Sequence, residues 1–215
     1  VPHVIPNVLS GSAKSRPGGS AAWGDAAVIV PWTMYLAYGD ARILEQQYAS
    51  MAKWVEFERA RAGDGLVWEG DPHFGDWLAF ATTNADYPGA TTGKDVIATA
   101  FFAHSADLME RTAQVLGKTD DAAKYHALFE RIKTAFVHEF VTPAGRVGEN
   151  TQTAYVLALE FDLLPDPMRA RAAERLAGEV RQRGHLTTGF TGTPYLCHVL
   201  SRYGYLNEAY QLLTR

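Results

Sequence analysis

Two short motifs in the chain combine an indole ring with a carboxylate. Trp23-Gly-Asp25 and Gly75-Asp76-Trp77 both lie in Gly-rich stretches between predicted helices. An indole face covers the C–H face of a sugar ring, and a carboxylate accepts hydrogen bonds from sugar hydroxyls. The pair of motifs therefore predicts a substrate-binding site for carbohydrate made by Trp23, Asp25, Asp76 and Trp77. The alternative interpretation is that the tryptophans are core residues and Asp25 is only a helix N-cap.

A third acidic residue, Glu149, lies in the stretch Val147 to Gln152. It is predicted to be an acid, a base or a ligand to a sugar hydroxyl, and the alternative is an exposed loop carboxylate. Gln152 and Thr153 are expected either to bond the same ligand or to cap the following helix. The seven histidines show no metal-binding spacing, so no cofactor is predicted, although a Ca²⁺ held by loop carboxylates stays open.

The composition excludes several classes of protein. The net charge of the 215 residues is −4, and no basic run is present, which argues against binding nucleic acid through its phosphates. No apolar run reaches the roughly 20 residues of a membrane helix. The single cysteine, Cys197, rules out an intrachain disulfide and favours a reducing compartment such as the cytoplasm.

Helical periodicity dominates from about residue 25 onward. Pro31 predicts a kink or a late start in the first helix, because proline removes an internal hydrogen bond. Thr142 to Val147 is interpreted as a turn or a small hairpin, and 63–93 is the longest irregular stretch, a length that is usually functional. The predicted helices run from Asp25 to Tyr38, Ala41 to Ala62, Asp95 to Leu116, Thr119 to Phe140, Asn150 or Thr151 to Leu164, Pro165 to Arg183, Thr193 to Tyr203, and from Asn207 onward.

The predicted helices alternate between two kinds. The first, third, fifth and seventh are apolar or small most of the way round, which is typical of buried helices. The second, fourth and sixth carry a charged face that is expected to be solvated, such as Glu56, Glu58, Arg59 and Arg61 in the second. The alternation recurs about every 50 residues, as in repeat architectures. It predicts an all-α fold, a partial α/α toroid of about four helical hairpins, with 1–215 as one incomplete domain.

The connections between these helices differ in length. Turns from an inner to an outer helix are short, whereas the loops that lead into inner helices are long and carry Trp23, Trp77, Glu149 and Phe190. In a toroid these long loops share one rim, where function concentrates.

Several motifs taken together resemble the catalytic domain of bacterial α-L-rhamnosidases, over essentially all 215 residues. The motifs that carry the resemblance are Val1-Pro-His-Val-Ile-Pro-Asn7, Trp23-Gly-Asp-Ala-Ala-Val-Ile-Val-Pro-Trp32, Tyr38-Gly-Asp40, Phe74-Gly-Asp-Trp-Leu-Ala79, Asn150-Thr-Gln-Thr-Ala-Tyr155 and Gly184-His-Leu-Thr-Thr-Gly-Phe-Thr-Gly-Thr-Pro-Tyr-Leu196.

This resemblance implies an (α/α)₆ toroid that removes terminal α-L-rhamnose from glycosides or polysaccharides with inversion. Trp23 and Trp77 match tryptophans that line the rhamnose pocket of the family, and Asp25, Asp76 and Glu149 are their neighbours. The family's general acid belongs to an acidic, Arg-rich motif and its general base to a Thr-Ile-Trp-Glu-Arg-like segment, and neither motif occurs here. The resemblance thus implies the middle of a toroid that supplies pocket walls and works with the remainder of the domain.

Two alternatives stay open. One is another α/α-toroid glycosidase or a polysaccharide lyase acting on acidic sugars, which would favour a cationic pocket. The other is a non-catalytic helical-repeat scaffold that binds a protein or a glycan, for which an aromatic stripe on the outer face would be typical.

Overall fold

A computed structural model describes residues 19–79 and 92–214, and this part of the chain contains eight α-helices and no β-sheet. The predictions for the N-terminal motif at Val1 and for most of the loop after Ala79 lie outside the described residues. The helices are α1 (Ala26–Tyr38), α2 (Arg42–Ala62), α3 (Lys94–Val115), α4 (Thr119–Phe140), α5 (Gln152–Glu160), α6 (Asp166–Arg183), α7 (Thr193–Arg202) and α8 (Leu206–Thr214).

Consecutive helices pair as hairpins: α1 with α2, α3 with α4, α5 with α6 and α7 with α8. The first helix of each hairpin also contacts the first helix of the next, so α1, α3, α5 and α7 form an inner layer. The second helices lie outside this layer. The all-α hairpin architecture predicted from the alternation of helices is confirmed.

The core is centred on α3 and α5. Along α5 every residue from Gln152 to Leu159 is buried, and α3 is buried on most of its circumference. The prediction that every inner helix is buried is wrong for α1, where only Val28 and Pro31 are buried, and for α7, where only Leu196, Val199 and Leu200 are buried. Among the described helices, α1 has an inner neighbour on one side only, which leaves its other side uncovered.

One charged residue of an outer helix is not solvated as expected. Glu58 of α2 is completely buried, whereas Arg59 and Arg61 beside it are exposed. Glu58 follows Trp54 and Val55 by about one helical turn and so shares with them the face of α2 that is buried against the inner layer.

Local signals set some of the helix ends. Thr151 caps α5 by accepting a hydrogen bond from the Ala154 amide (3.2 Å), and Gly39 closes α1 in the left-handed conformation. Pro31 does not delay the start of α1, which begins at Ala26.

Two predictions concerned the segments on either side of α5. The small hairpin is confirmed by an antiparallel bridge between Val141 and Val147. Helix α5 ends at Glu160 rather than near Leu164, because Asp162 adopts a positive φ of 56° and the Leu163 amide bonds the Ala158 carbonyl (3.0 Å).

Candidate functional site

Three aromatic rings meet where the loops enter the inner helices. Trp23 lies 4.9 Å from Phe74 and 6.2 Å from Trp77 between ring centroids, and Phe74 lies 4.8 Å from Trp77. The three rings are partly exposed. The structure therefore brings the two predicted indole–carboxylate motifs together at one end of the helix layer, and adds Phe74 between them.

A buried carboxylate holds the second motif. Asp76 is 0% exposed, and its Oδ1 accepts hydrogen bonds from the Thr191 amide (3.0 Å) and hydroxyl (2.6 Å). Its Oδ2 accepts from the Gly189 amide (2.8 Å) and from the Thr153 hydroxyl at the start of α5. Asp76 thus ties the Trp77 loop to the loop that carries Gly189 and Thr191 and to the first turn of α5, where Thr153, predicted as a ligand or a cap, bonds Asp76.

The loop backbones also meet directly. The Phe190 amide donates to the Trp77 carbonyl (2.9 Å), and a Cβ on Gly189 would lie 2.3 Å from that same oxygen. No real Cβ approaches an oxygen so closely, so only glycine fits here. As a result, the backbone of Phe190, whose ring is exposed, is held against the Trp77 loop.

A second buried carboxylate holds the first motif. Asp25 is 0% exposed, and it accepts hydrogen bonds from the Ala22 amide (2.7 Å), the Ser105 hydroxyl (2.6 Å) and the Trp54 indole (3.3 Å). Its side chain does not cap α1, as the sequence had suggested, because it turns back to Ala22. Burial raises the pKa of Asp25, and Glu58 is the first of the partners that oppose this rise.

Glu149, the last of the predicted site residues, lies apart from the cluster of Trp23, Phe74 and Trp77. It is exposed, and its Oε2 accepts a hydrogen bond from the Gly93 amide (3.0 Å) at the start of α3. Nearby, the Thr92 and Thr151 hydroxyls are 2.6 Å apart, and Gln152 accepts from the Thr187 amide (2.8 Å). The structure thus puts Glu149 on the same end of the molecule but joins it to Gly93, not to the aromatic rings.

A cavity of about 320 Å³ opens beside Trp23. Its described lining is apolar or neutral and comprises Ala22, Trp23, Ala26, Ile29, Val30, Phe101, Phe190, Thr191, Pro194 and Tyr195. Trp23 and Phe190 come from two different loops, and Asp25 and Asp76 position those loops. The volume lies at the lower end of the range for small-molecule sites.

A second cavity, of about 460 Å³, shares Ile29 and Tyr195 with the first and runs along the inner helices. Its walls carry the ion pairs Arg111–Asp107 (3.0 Å) and Arg202–Glu160 (2.8 Å). His104 also lines it and stacks on Phe161 at 4.0 Å between centroids, and burial lowers the pKa of this histidine to about 3. Its imidazole is therefore neutral at physiological pH.

Comparison with known proteins agrees with this arrangement. All of residues 1–215 match the family described as bacterial alpha-L-rhamnosidase 6 hairpin glycosidase domain. The chain belongs to this family. The six-hairpin glycosidase fold accounts for the hairpins seen here, and the resemblance predicted from the motifs is confirmed.

The relatives are α-L-rhamnosidases, and two of them come from bacteria. The chain is 46% identical over 196 residues to an α-L-rhamnosidase of Streptomyces avermitilis, covering 91% of this chain and 18% of that protein. It is 39% identical over 216 residues to one of Formosa agariphila, covering 99% of this chain and 22% of that protein. The chain therefore spans about a fifth of the length of these curated relatives.

Two solved structures are also similar. One is the Streptomyces avermitilis α-L-rhamnosidase complexed with L-rhamnose, with a TM-score of 0.83 at 45% identity over 91% of this chain and 18% of that one. The other is the native α-L-rhamnosidase of Aspergillus terreus, with a TM-score of 0.91 at 33% identity over 100% of this chain and 25% of that one.

The sequence predicted four residues that the structure gathers around one cluster, but it missed their supports. Glu58 looked like part of a solvated face, and Trp54 looked like an ordinary core residue. The spacing of Trp54 and Glu58, one helical turn apart on the buried face of α2, was the available signal.

No helix in the described part of the chain is both long and apolar enough to cross a bilayer. Within the same residues, no group of three or more His, Cys, Asp or Glu is placed to hold a metal ion.

Proposed function

We propose that the chain forms part of an enzyme that hydrolyses terminal α-L-rhamnosyl residues of glycosides or polysaccharides with inversion of configuration. Its own contribution is to supply the walls of the sugar pocket. The observation that supports this most is the cavity next to Trp23, walled by rings from two loops whose positions are fixed by buried Asp25 and Asp76. One relative has been solved with L-rhamnose bound.

The chemistry of the lining fits a deoxy sugar. An apolar and aromatic surface suits the C–H faces and the methyl group of rhamnose. A uronic acid would require a cation, and none is among the described residues that line this cavity. This disfavours a lyase of acidic sugars.

The carboxylates seen here are suited to positioning rather than to proton transfer with substrate. Asp76 has both oxygens occupied by hydrogen bonds from the loops, and Asp25 is enclosed under the Trp23 turn. Inversion needs one carboxylic acid at the leaving oxygen and a second carboxylate that activates water, roughly 6.5–9.5 Å apart. In this proposal both come from outside residues 1–215, while Glu149 reaches the sugar from the rim.

The test uses the complete gene product. It is expected to release nitrophenol from p-nitrophenyl α-L-rhamnoside and to form the β-anomer of L-rhamnose first, as followed by NMR. Binding of L-rhamnose without turnover would favour the scaffold alternative. Activity on a uronide with formation of an unsaturated product, and none on the rhamnoside, would replace the proposal by a lyase.

A further inference from the structure

In the described part of the chain, Glu58 is a buried acid without the hydrogen-bond donors or the cation that usually accompany a buried carboxylate. It is 0% exposed, and neither of its carboxyl oxygens meets a described hydrogen-bond donor in good geometry, so the polar groups that act on it are the Asp25 carboxyl and the Trp54 indole. An ionised carboxylate in such surroundings would lose its hydration without compensation, which is very unfavourable. The group is therefore expected to carry a proton.

The acid next to Glu58 is Asp25. Burial raises the pKa of Glu58 well above its ordinary value of 4.5, and the negative charge of Asp25 raises it further. The pKa of Asp25 is also raised by burial, although its hydrogen bonds from Ser105 and Trp54 oppose the rise. Two adjacent carboxyl groups in a dry site cannot both ionise easily, so one proton shared between them is the stable state.

Within residues 19–79 and 92–214, no cation neutralises the pair. The groups that act on Asp25 or Glu58 are the two acids themselves, Ser105 of α3, and the Trp54 indole and Ala22 amide. Tyr195 of α7 lies close enough to Asp25 for the two groups to interact electrostatically. This phenol is neutral at physiological pH because burial raises its pKa to about 12.

The cations of the neighbouring helices are engaged elsewhere. Lys124 of α4 reaches α2, but it pairs with Glu56 (2.6 Å). On α2 itself, Arg59 pairs with Glu56, Arg61 with Asp71, and Lys53 is exposed.

The pair lies directly beneath the Trp23 turn. Asp25 accepts a hydrogen bond from the Ala22 amide, and Ala22 has a positive φ of 67°, a conformation that is unfavourable for a non-glycine residue and needs support. The Trp54 ring, bonded to Asp25, packs so closely under the same turn that a Cβ on Gly24 would lie 2.1 Å from it.

We propose that Asp25 and Glu58 form a positioning pair that holds one proton between them and thereby fixes the turn that presents Trp23 to the sugar cavity. When that proton leaves to solvent, two negative charges face each other under the turn, and the Ala22–Trp23 segment loses its fixed position. Neither residue touches the reacting atoms. The part of this inference that concerns sugar rests on the proposed function.

The sign of the pH dependence follows from the direction of the shift. A carboxyl with a raised pKa keeps its proton in the folded state when the unfolded chain has already lost it. Its contribution to the free energy of unfolding is full below the ordinary value of 4.5 and declines as pH rises toward the folded pKa. The turn that carries Ala22 and Trp23 is therefore more stable at low pH and less stable at high pH.

The variant Glu58→Gln tests the pair, because its amide is neutral at every pH and donates to Asp25 as the shared proton does. Glu45→Gln is the matched control: the same substitution on the same helix, at an exposed position. In the complete gene product, the melting temperature of Glu58→Gln is expected to rise relative to wild type as pH increases from about 5 to about 9. The control is expected to follow the wild type. Parallel curves for all three proteins would overturn the proposal.

Two readouts address the proton and the turn without sugar. Infrared spectroscopy of the wild type at neutral pH is expected to show a protonated buried carboxyl that Glu58→Gln lacks. Fluorine NMR of fluorotryptophan-labelled protein, with the Trp23 signal assigned by Trp23→Phe, is expected to show that signal broadening in alkali in the wild type but not in Glu58→Gln. Absence of the infrared band from the wild type would overturn the proposal even if Glu58→Gln failed to fold.

A third readout uses L-rhamnose as the probe. The affinity of the wild type for L-rhamnose is expected to fall about tenfold between about pH 6 and about pH 9, as it would if part of the stacking contact between Trp23 and the sugar were lost. The affinity of Glu58→Gln is expected to stay unchanged. Equal losses in both proteins would overturn the positioning role. Failure of the wild type to bind L-rhamnose at any pH would instead count against the proposed function, and the infrared and fluorine measurements would still decide the pair.

Discussion

At the scale of single residues, Trp23 and Trp77 contact the same aromatic ring, but a different buried carboxylate holds the loop of each. Both pack against Phe74, yet the Trp23 turn is held by Asp25 and the Trp77 loop by Asp76. A substitution in one support should therefore leave the other tryptophan largely in place. This independence makes the two sides of the site separable by mutation.

The two tryptophans should respond differently to truncation. Trp77→Ala is expected to lower kcat/KM for a rhamnoside about 5- to 150-fold, since one stacking face is worth about 1–3 kcal/mol, with a small change in melting temperature. Trp23→Ala removes a ring that lines the cavity together with Ile29 and Phe101 of the inner helices, a lining to which Trp77 does not belong, so it should cost about 2–3 kcal/mol of stability as well. Kinetics and thermal melting of both variants check this. Equal melting losses with unchanged kinetics would mean that both rings are core residues.

Asp76→Asn should damage the site although it is nearly isosteric. An amide nitrogen would point at the donors that now bond one of the two oxygens, which leaves buried amides unsatisfied at a cost of about 1–3 kcal/mol. We expect a lower melting temperature and a raised KM. Asp64→Asn, at an exposed position before the same loop, is the control and should melt like the wild type.

At the scale of elements, the loop that carries Gly189 and the loop that carries Trp77 touch through their backbones. Gly189→Ala would place a Cβ 2.3 Å from the Trp77 carbonyl oxygen and 2.7 Å from the Ala79 amide nitrogen. The loops must separate, at a cost of about 1–3 kcal/mol, and the Phe190–Trp77 hydrogen bond should break. Gly65→Ala meets no atom within 4 Å and is the control. Hydrogen exchange at the Phe190 amide measures the effect, and unchanged protection in Gly189→Ala would contradict it.

The sequence predicted the positions of the helices better than it predicted which side chains contact each other across the fold. Helical periodicity located all eight described helices, because apolar spacing and terminal glycines such as Gly39 act within a few residues. The partners of Asp76 lie 77 to 115 residues away along the chain, and no local pattern announces them. Glu58 was assigned to solvent because charged residues are rarely buried without a partner, and its partner is another acid.

At the scale of the whole molecule, the described hairpins leave an apolar side of α1 open. Val30, Met34 and Tyr38, spaced four residues apart, are exposed on one side of this helix, more than an isolated surface residue explains. In a six-hairpin toroid a further hairpin would cover such a face. Under the proposed function, further hairpins of this kind would also supply the acid and the base of the reaction.

Residues 1–215 alone are therefore expected to show no turnover of p-nitrophenyl α-L-rhamnoside, while the complete gene product turns it over. The physical reason is that the carboxylates nearest the aromatic rings are buried and already hydrogen-bonded. Steady-state kinetics on both proteins, at matched concentration and after circular dichroism has confirmed helical structure, provide the comparison. Clear turnover by the shorter protein would move Glu149 or Asp25 into a catalytic role.

The long reach of the Asp76 hydrogen bonds also bears on the order in which the molecule is built. The acceptor is synthesised with the second hairpin, but its donors at Gly189 and Thr191 belong to the loop that precedes α7. Contacts so distant along the chain form slowly, because a large loop must close before they stabilise anything. During synthesis the Trp77 segment lacks its hydrogen bonds to Gly189 and Thr191 until more than a hundred further residues have left the ribosome. The Trp77 side of the rim therefore acquires its native hydrogen bonds only after Gly189 and Thr191 have been made, and a nascent chain stalled before Gly189 would carry packed hairpins with an unfinished rim.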